Sequence, residues 1–168
     1  MSASKPSGRN VTIPGLLEHL RPEGIALDLE ARTKPQALAR MVDVALALEP
    51  GLNRSVLMEA LAAREAVVTT GIGRGMAIPH ADLPAVPKPM LCLGIFPAGV
   101  DFDSLDDEPV CAAFLLLGTG RDPNIHMQLL SDIAKLSKEP RLLPQFLAAN
   151  TGAQVFDFLQ EIAEKTGL

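Results

Sequence analysis

Two of the three histidines in this 168-residue chain have neighbours suited to phosphoryl chemistry. His80 closes the run Ile78-Pro79-His80, just downstream of Gly71, Gly73 and Gly75. Pro79 fixes its own φ and drives Ile78 towards extended backbone, so a stiff segment delivers the imidazole. The glycines lack a Cβ, which leaves room for a bulky anion beside backbone N–H groups. A neutral imidazole held rigidly there is a candidate nucleophile, since its reference pKa is about 6.5. The same spacing also fits a turn histidine with ordinary hydrogen bonds.

His126 lies four residues after Asp122, which with Pro123 opens a helix. The positive end of that helix attracts anions and opposes protonation of the ring, whereas an adjacent dianionic phosphate would favour protonation. A surface histidine that merely sits at a helix start reads equally from the sequence. Arg64 follows Leu61 by three and Ala60 by four, in line with a buried stripe and six residues before Thr70. Its forked guanidinium suits phosphate, and it also complements a helix C-terminus. His19, among Leu16, Leu17 and Leu20, reads as structural or surface.

Several elements must position these groups. Ile25, Leu27 and Leu29 alternate like a half-buried strand. Thr33 and Gln36 form a capping box before a helix carrying Ala37, Leu38, Met41, Val42, Ala45 and Leu48, stopped by Pro50-Gly51. A second helix runs from about Asn53 to Glu65, with Val56, Leu57, Ala60 and Leu61 inward. The glycines and prolines of Thr69 to Pro89 allow one short extended piece, Met76 to Ile78. Met90 to Phe96 and Val110 to Leu117 are apolar at nearly every residue, as central strands covered on both faces are. After the helix opened at Asp122, a short helix near Leu142 to Ala149 and a last one capped by Thr151 and Gln154 follow. The expectation is an α/β fold: a single-domain sandwich over 14–168, with a mixed parallel and antiparallel central sheet of about five strands flanked by helices. Residues 1–13 read as a disordered tail.

Composition narrows the partners. Lys plus Arg number 15 against 20 Asp plus Glu, a formal charge of −5 with no basic run, which argues against nucleic acid. Trp and Tyr are absent, so little aromatic surface exists for stacking. The longest apolar run, Val110 to Leu117, is far short of the roughly 20 residues that span a bilayer. Cys92 and Cys111 each sit in an apolar run and read as core. The expected location is cytoplasmic, without membrane insertion. Gly71 to Gly75 begin a dinucleotide fingerprint but lack its third glycine, and neither a P-loop nor a nucleophile elbow occurs. A metal site from His80, Asp82 and His126 has no supporting ligand motif, so neither metal nor cofactor is expected.

The run TGIGRGMAIPHA, Thr70 to Ala81, resembles the active-site signature of the mannitol/fructose-type (type 2) IIA components of the bacterial phosphoenolpyruvate-dependent phosphotransferase system, which include the nitrogen-regulatory IIA proteins. The resemblance extends to GIALDLEARTKPQALARMVDVAL, to the Arg64-Glu65 helix, and to VDFDSLDDEPVCAAFLLLGTG with the His126 helix. It implies that His80 is phosphorylated by the phosphohistidine of HPr or of the nitrogen-branch HPr homologue. Arg64 and His126 match its phosphate-site helpers, and Thr70, with the loop glycines Gly71, Gly73 and Gly75, matches positions beside the phosphate. The phosphoryl group would pass to a IIB domain or serve as a signal to regulated target proteins. The chain carries no fused IIB, IIC or DNA-binding segment, which suits the regulatory branch; a sugar-specific IIA and a non-transferring binding module are the alternatives. Successive docking of two partners calls for an apolar rim, for which Met76, Leu83 and Val86 are candidates. A homodimer stays open. Val67, Val68 and the GTGRDPN loop depart from the family's usual pattern.

Overall fold

The computed structural model describes residues 13–166. The expected tail therefore lies outside the described residues, apart from Ile13, which begins helix α1 (Ile13–Leu17). Two long apolar strands, β5 (Met90–Val100) and β6 (Val110–Gly118), pair antiparallel and form the middle of a six-stranded mixed sheet. Their side chains alternate between two separate cores. Leu91, Leu93, Ile95, Phe114 and Leu116 point to one, where helices α4 (Pro123–Leu136), α5 (Leu142–Ala148) and α6 (Gly152–Thr166) supply Leu129, Ile133, Phe146, Val155 and Leu159. Cys92, Phe96, Leu115 and Leu117 point to the other, against α2 (Lys34–Leu48) and α3 (Arg54–Val67). This is the covered, two-faced sheet that the continuous apolar runs require. Gly94 belongs to it for steric reasons, because a Cβ there would collide with Met41 Sδ.

Helix starts follow the sequence signals closely. Thr33 caps α2, its hydroxyl accepting from Gln36 N at 3.4 Å, while Gln36 Oε1 accepts from Arg32 N, one residue before the cap. Asn53 caps α3 and Asp122 caps α4, each through a side-chain oxygen on a first-turn N–H. On α3 only Leu57 and Leu61 are buried, and Val56 faces outward.

The strand readings need correction in two places. The first strand, β1 (Leu20–Ala26), begins earlier than the Ile25–Leu29 alternation suggests. It pairs parallel with β5 through Leu20 and Ile25, with a register break between them that absorbs Pro22 and Gly24. The single extended piece expected around Met76 is three strands: β2 (Gly71–Gly73), β3 (Met76–Ala77) and β4 (His80–Asp82). β2 and β3 form a hairpin whose tip holds Gly73, Arg74 and Gly75 at φ 95°, 58° and 74°. β3 and β4 then lie in succession along the same edge of β6, both parallel to it. Ile78 and Pro79 separate them; Pro79 lacks an N–H, but its carbonyl accepts from Leu116 N at 3.0 Å, so the edge remains tied. Short pieces of this kind are held by their neighbour strand, and local alternation cannot reveal them.

Candidate functional site

Strand pairing decides where His80 points. In β4, His80 pairs with Leu116, Ala81 with Leu117 and Asp82 with Gly118. Successive residues of a strand face opposite sides, so Ala81 enters the α2–α3 core while His80 and Asp82 share the face towards α4. His126 stands in the first turn of α4, with its backbone N–H on Asp122 O. The His80 and His126 ring centroids are 5.5 Å apart at an interplanar angle of 57°. Arg64 arrives from the last turn of α3. The three residues singled out from the sequence thus meet in one open pocket with Asp82, walled by Ala60, Met127 and Leu130.

The hydrogen bonds define the state of the His80 ring. Nδ1 lies 2.8 Å from the Ile78 carbonyl, which only accepts, so Nδ1 carries the proton and donates. Nε2 then keeps its lone pair, and Arg64 Nε donates to it at 3.1 Å. Arg64 Nη1 also donates to Val68 O at 2.9 Å, closing the end of α3. Arg64 is therefore both a helix-end cap and a partner of His80. Burial lowers the His80 pKa from its ordinary 6.5; Arg64 and His126 push the same way, against the Ile78 carbonyl and Glu65. Burial thus favours the neutral ring, whose free lone pair is on Nε2.

His126 is buried, and its Nδ1 lies 3.2 Å from Asp82 Oδ1. That approach is out of line for a hydrogen bond, and Nδ1 has no other partner among the described residues.

Glu65, next to Arg64, is a buried anchor. Its Oε2 accepts from Lys34 Nζ at 3.0 Å and from Thr70 N at 3.1 Å, and its Oε1 accepts from the Thr70 hydroxyl. Lys34 Nζ also donates to Thr69 Oγ1 at 3.2 Å and lies over the Phe102 ring. This cluster fastens the end of α3 to the start of α2 and to the strand that follows.

Two groups of sequence expectations are not met by this geometry. Thr70 is buried with its hydroxyl engaged by Glu65, and Gly71, Gly73 and Gly75 do not line the His80 pocket. Instead a Cβ at Gly71 would strike Ser104 Oγ, one at Gly73 would crowd Asp106, and one at Gly75 would strike Leu143, so these glycines serve hairpin packing. The expected rim also differs: Met76 and Val86 are core, and Leu83 packs against it. The exposed apolar residues nearby are Met127 and Ile125 on α4 and Val67 and Val68 after Arg64. Lys34 and Gly118 carried no signal in the sequence, and Glu65 only as the neighbour of Arg64 in the family resemblance, whereas the His80-x-Asp82 spacing in a strand would have paired those two side chains. His19 bonds the Pro89 carbonyl, away from the pocket. Both cysteines are free, and no cluster of three or more His, Cys, Asp or Glu able to hold a metal ion occurs among the described residues. No helix there is long and apolar enough to cross a membrane.

Residues 18–162 match the family described as phosphoenolpyruvate-dependent sugar phosphotransferase system, EIIA 2. The fructose-specific EIIA component of the Haloferax volcanii phosphotransferase system is 32% identical over 142 residues, covering 84% of this chain and 92% of that protein. A nitrogen regulatory protein of Bradyrhizobium diazoefficiens is 33% identical over 141 residues, covering 82% of this chain and 90% of its own. Among solved structures, the nitrogen regulatory protein IIA-Ntr from Neisseria meningitidis superposes with a TM-score of 0.78 at 27% identity, over 84% of this chain and 97% of that one.

Proposed function

Because the chain belongs to the EIIA 2 family of the phosphoenolpyruvate-dependent sugar phosphotransferase system, a family of phosphohistidine-bearing IIA phosphocarriers, we propose that His80 is the residue that carries its phosphoryl group. The single observation that supports this best is the division of labour on the ring: Nδ1–H is spent on Ile78 O, and the lone pair of Nε2 opens on a pocket shared with a guanidinium and a second imidazole. In the transfer, Nε2 attacks phosphorus in line while the N–P bond of the donor phosphohistidine breaks; the donor nitrogen keeps the electron pair. Neither ring needs to lose a proton. Arg64 releases Nε2 and turns its N–H groups on the equatorial oxygens, whose charge His126 also meets. Exchange between two phosphohistidines is nearly isoenergetic and depends on positioning.

The donor is HPr or its nitrogen-branch homologue, and the acceptor is a IIB domain or a regulated target. The 14–168 region acts as the carrier domain, working in the cytoplasm. For the branch, the Bradyrhizobium and Neisseria proteins support a nitrogen-regulatory role. The Haloferax protein, at nearly equal identity, favours a sugar-specific role as the second reading. Incubation with phosphoenolpyruvate, enzyme I and HPr should place an acid-labile phosphate on the wild-type chain and none on His80→Ala. No label on the wild type would instead make this a binding module of the same fold, and label persisting on His80→Ala would overturn the site. Adding a fructose-type IIB then separates the branches: rapid discharge supports sugar transfer, and retention supports regulation.

A further inference from the structure

His126 presents an unsolved problem in its own surroundings: a buried ring nitrogen, Nδ1, without an aligned partner, a situation that destabilises a folded protein when left unrelieved. One acceptor lies at hand. Asp82 Oδ1 is 3.2 Å away, and that side chain is about half exposed and free to turn into line, whereas the ring is fixed in the α4 first turn. The approach is itself built into the sheet. Asp82 is the register partner of Gly118, and a Cβ at Gly118 would overlap both Asp82 Oδ1 and His126 Nδ1. The backbone at Gly118 has no left-handed φ, so glycine is required there for the room it leaves. A second tie holds the two supports together. Arg121, just before the Asp122 cap, donates to the carbonyls of Pro84 and Pro87, at 3.3 and 3.0 Å, binding the loop after β4 to the loop before α4.

We propose that Asp82 is a positioning residue for the phosphoryl site, holding His126 with its proton on Nδ1 so that Nε2 is presented to the cargo of His80. The proposal rests on the phosphocarrier reading for its purpose, though not for its geometry. A carboxylate that accepts from one imidazole nitrogen fixes the tautomer and orientation of the ring. It also favours a second proton on the other nitrogen once an anion stands there. The groups facing His126 are Asp82 and His80 from β4 and Arg64 from α3, with Asp122 on its own helix. When the phosphoryl group reaches His80 Nε2, one solvent proton binds His126 Nε2, which then donates to a phosphate oxygen while Nδ1–H donates to Asp82. Apart from that proton, which solvent gives up to His126 Nε2, the only bonds exchanged are the N–P pair of the transfer. The carbonyl of Ile78 and the carboxylate of Asp82 thus set complementary roles for two imidazoles on facing elements, one to bear the phosphorus and one to bear a proton.

The test uses the full, unloaded chain labelled with 15N and long-range proton–nitrogen correlation spectra of the imidazoles at mildly alkaline pH. The His126 proton is expected on Nδ1 in the wild type and in Asp82→Asn, whose amide oxygen still accepts, and to lose that preference in Asp82→Ala and in Gly118→Ala. Asp82→Ala removes a half-exposed side chain, so it keeps the fold, which circular dichroism verifies. A wild-type ring protonated on Nε2, or an Asp82→Ala spectrum unchanged at His126, overturns the proposal whether or not the chain accepts phosphate. In the loading assay, Asp82→Ala should be roughly tenfold slower than wild type, as loss of an orienting partner typically is, and Asp82→Asn should recover most of that rate. Equal rates for Asp82→Ala and the wild type would equally contradict it.

Discussion

Replacing Arg64 with alanine separates two roles of one side chain that differ in size. As a structural group, Arg64 gives one hydrogen bond, Nη1 to Val68 O at 2.9 Å, and a positive charge in the last turn of α3. An exposed bond and a helix-end charge together contribute about 1 kcal/mol. Domains of this kind have about 5–15 kcal/mol in reserve, so the variant stays folded. As a chemical group, it sits 3.1 Å from His80 Nε2, the proposed nucleophile, where charge on the transferring PO3 would have to be met. A charged hydrogen bond of that kind is worth about 2–3 kcal/mol, and each 1.4 kcal/mol is tenfold in rate. Phosphoryl transfer from phospho-HPr, followed by rapid quench, should therefore slow roughly 30- to 150-fold while the melting curve moves only slightly. Arg64→Lys should recover part of the loss, because it restores the charge without the fork. A folded Arg64→Ala chain that transfers within about threefold of wild type would refute this account of the pocket.

Three further outcomes follow from other parts of the molecule. The depressed His80 pKa means that the unfolded chain binds the proton first as pH falls, so stability should decline below about 6.5 in the wild type; urea melts of His80→Gln should lose that part of the slope, and unchanged slopes would contradict the assigned burial. Lys34→Met strands the Glu65 carboxylate against only the Thr70 donors and should cost about 2 kcal/mol, less than a fully buried pair because the Lys34 side chain keeps 19% exposure; calorimetry measures it, and a neutral result would show the cluster to be incidental. Burial pushes the Cys92 thiol up to about 12 and also raises that of Cys111, which is only partly buried near the start of β6, so a thiol reagent should modify Cys111 in the native chain and Cys92 only on unfolding, as mass spectrometry of the labelled peptides would report.

How much of this was legible in the residues depended on whether the signal was local. The caps at Thr33 and Asp122, and the unbroken apolar runs of β5 and β6, are local, and the folded chain uses them as read. So is the stiffness of Ile78-Pro79-His80, and Arg64 and His126 do converge on that imidazole. The three short strands were not legible, since their pairing is dictated by β6, far away in sequence. The glycine run is ambiguous for a physical reason: absence of a Cβ signals close approach without saying of what. Here the approaching atoms belong to Ser104, Asp106 and Leu143 rather than to an anion. Thr70, just before β2, is held by a buried carboxylate, Glu65, which Lys34 of α2 also engages. Asp82 appeared in the sequence only as a doubtful metal ligand, and its place beside His126 depends on the β4–β6 register and on the gap at Gly118.

The central claim concerns one nitrogen atom. With the phosphorylated chain labelled uniformly with 15N, a phosphorus–nitrogen coupling measured at the His80 ring identifies the atom that bears the phosphoryl group. Coupling at Nε2, with Nδ1 still protonated towards the Ile78 carbonyl, is the predicted result. Coupling at Nδ1, or at a ring other than His80, would contradict it.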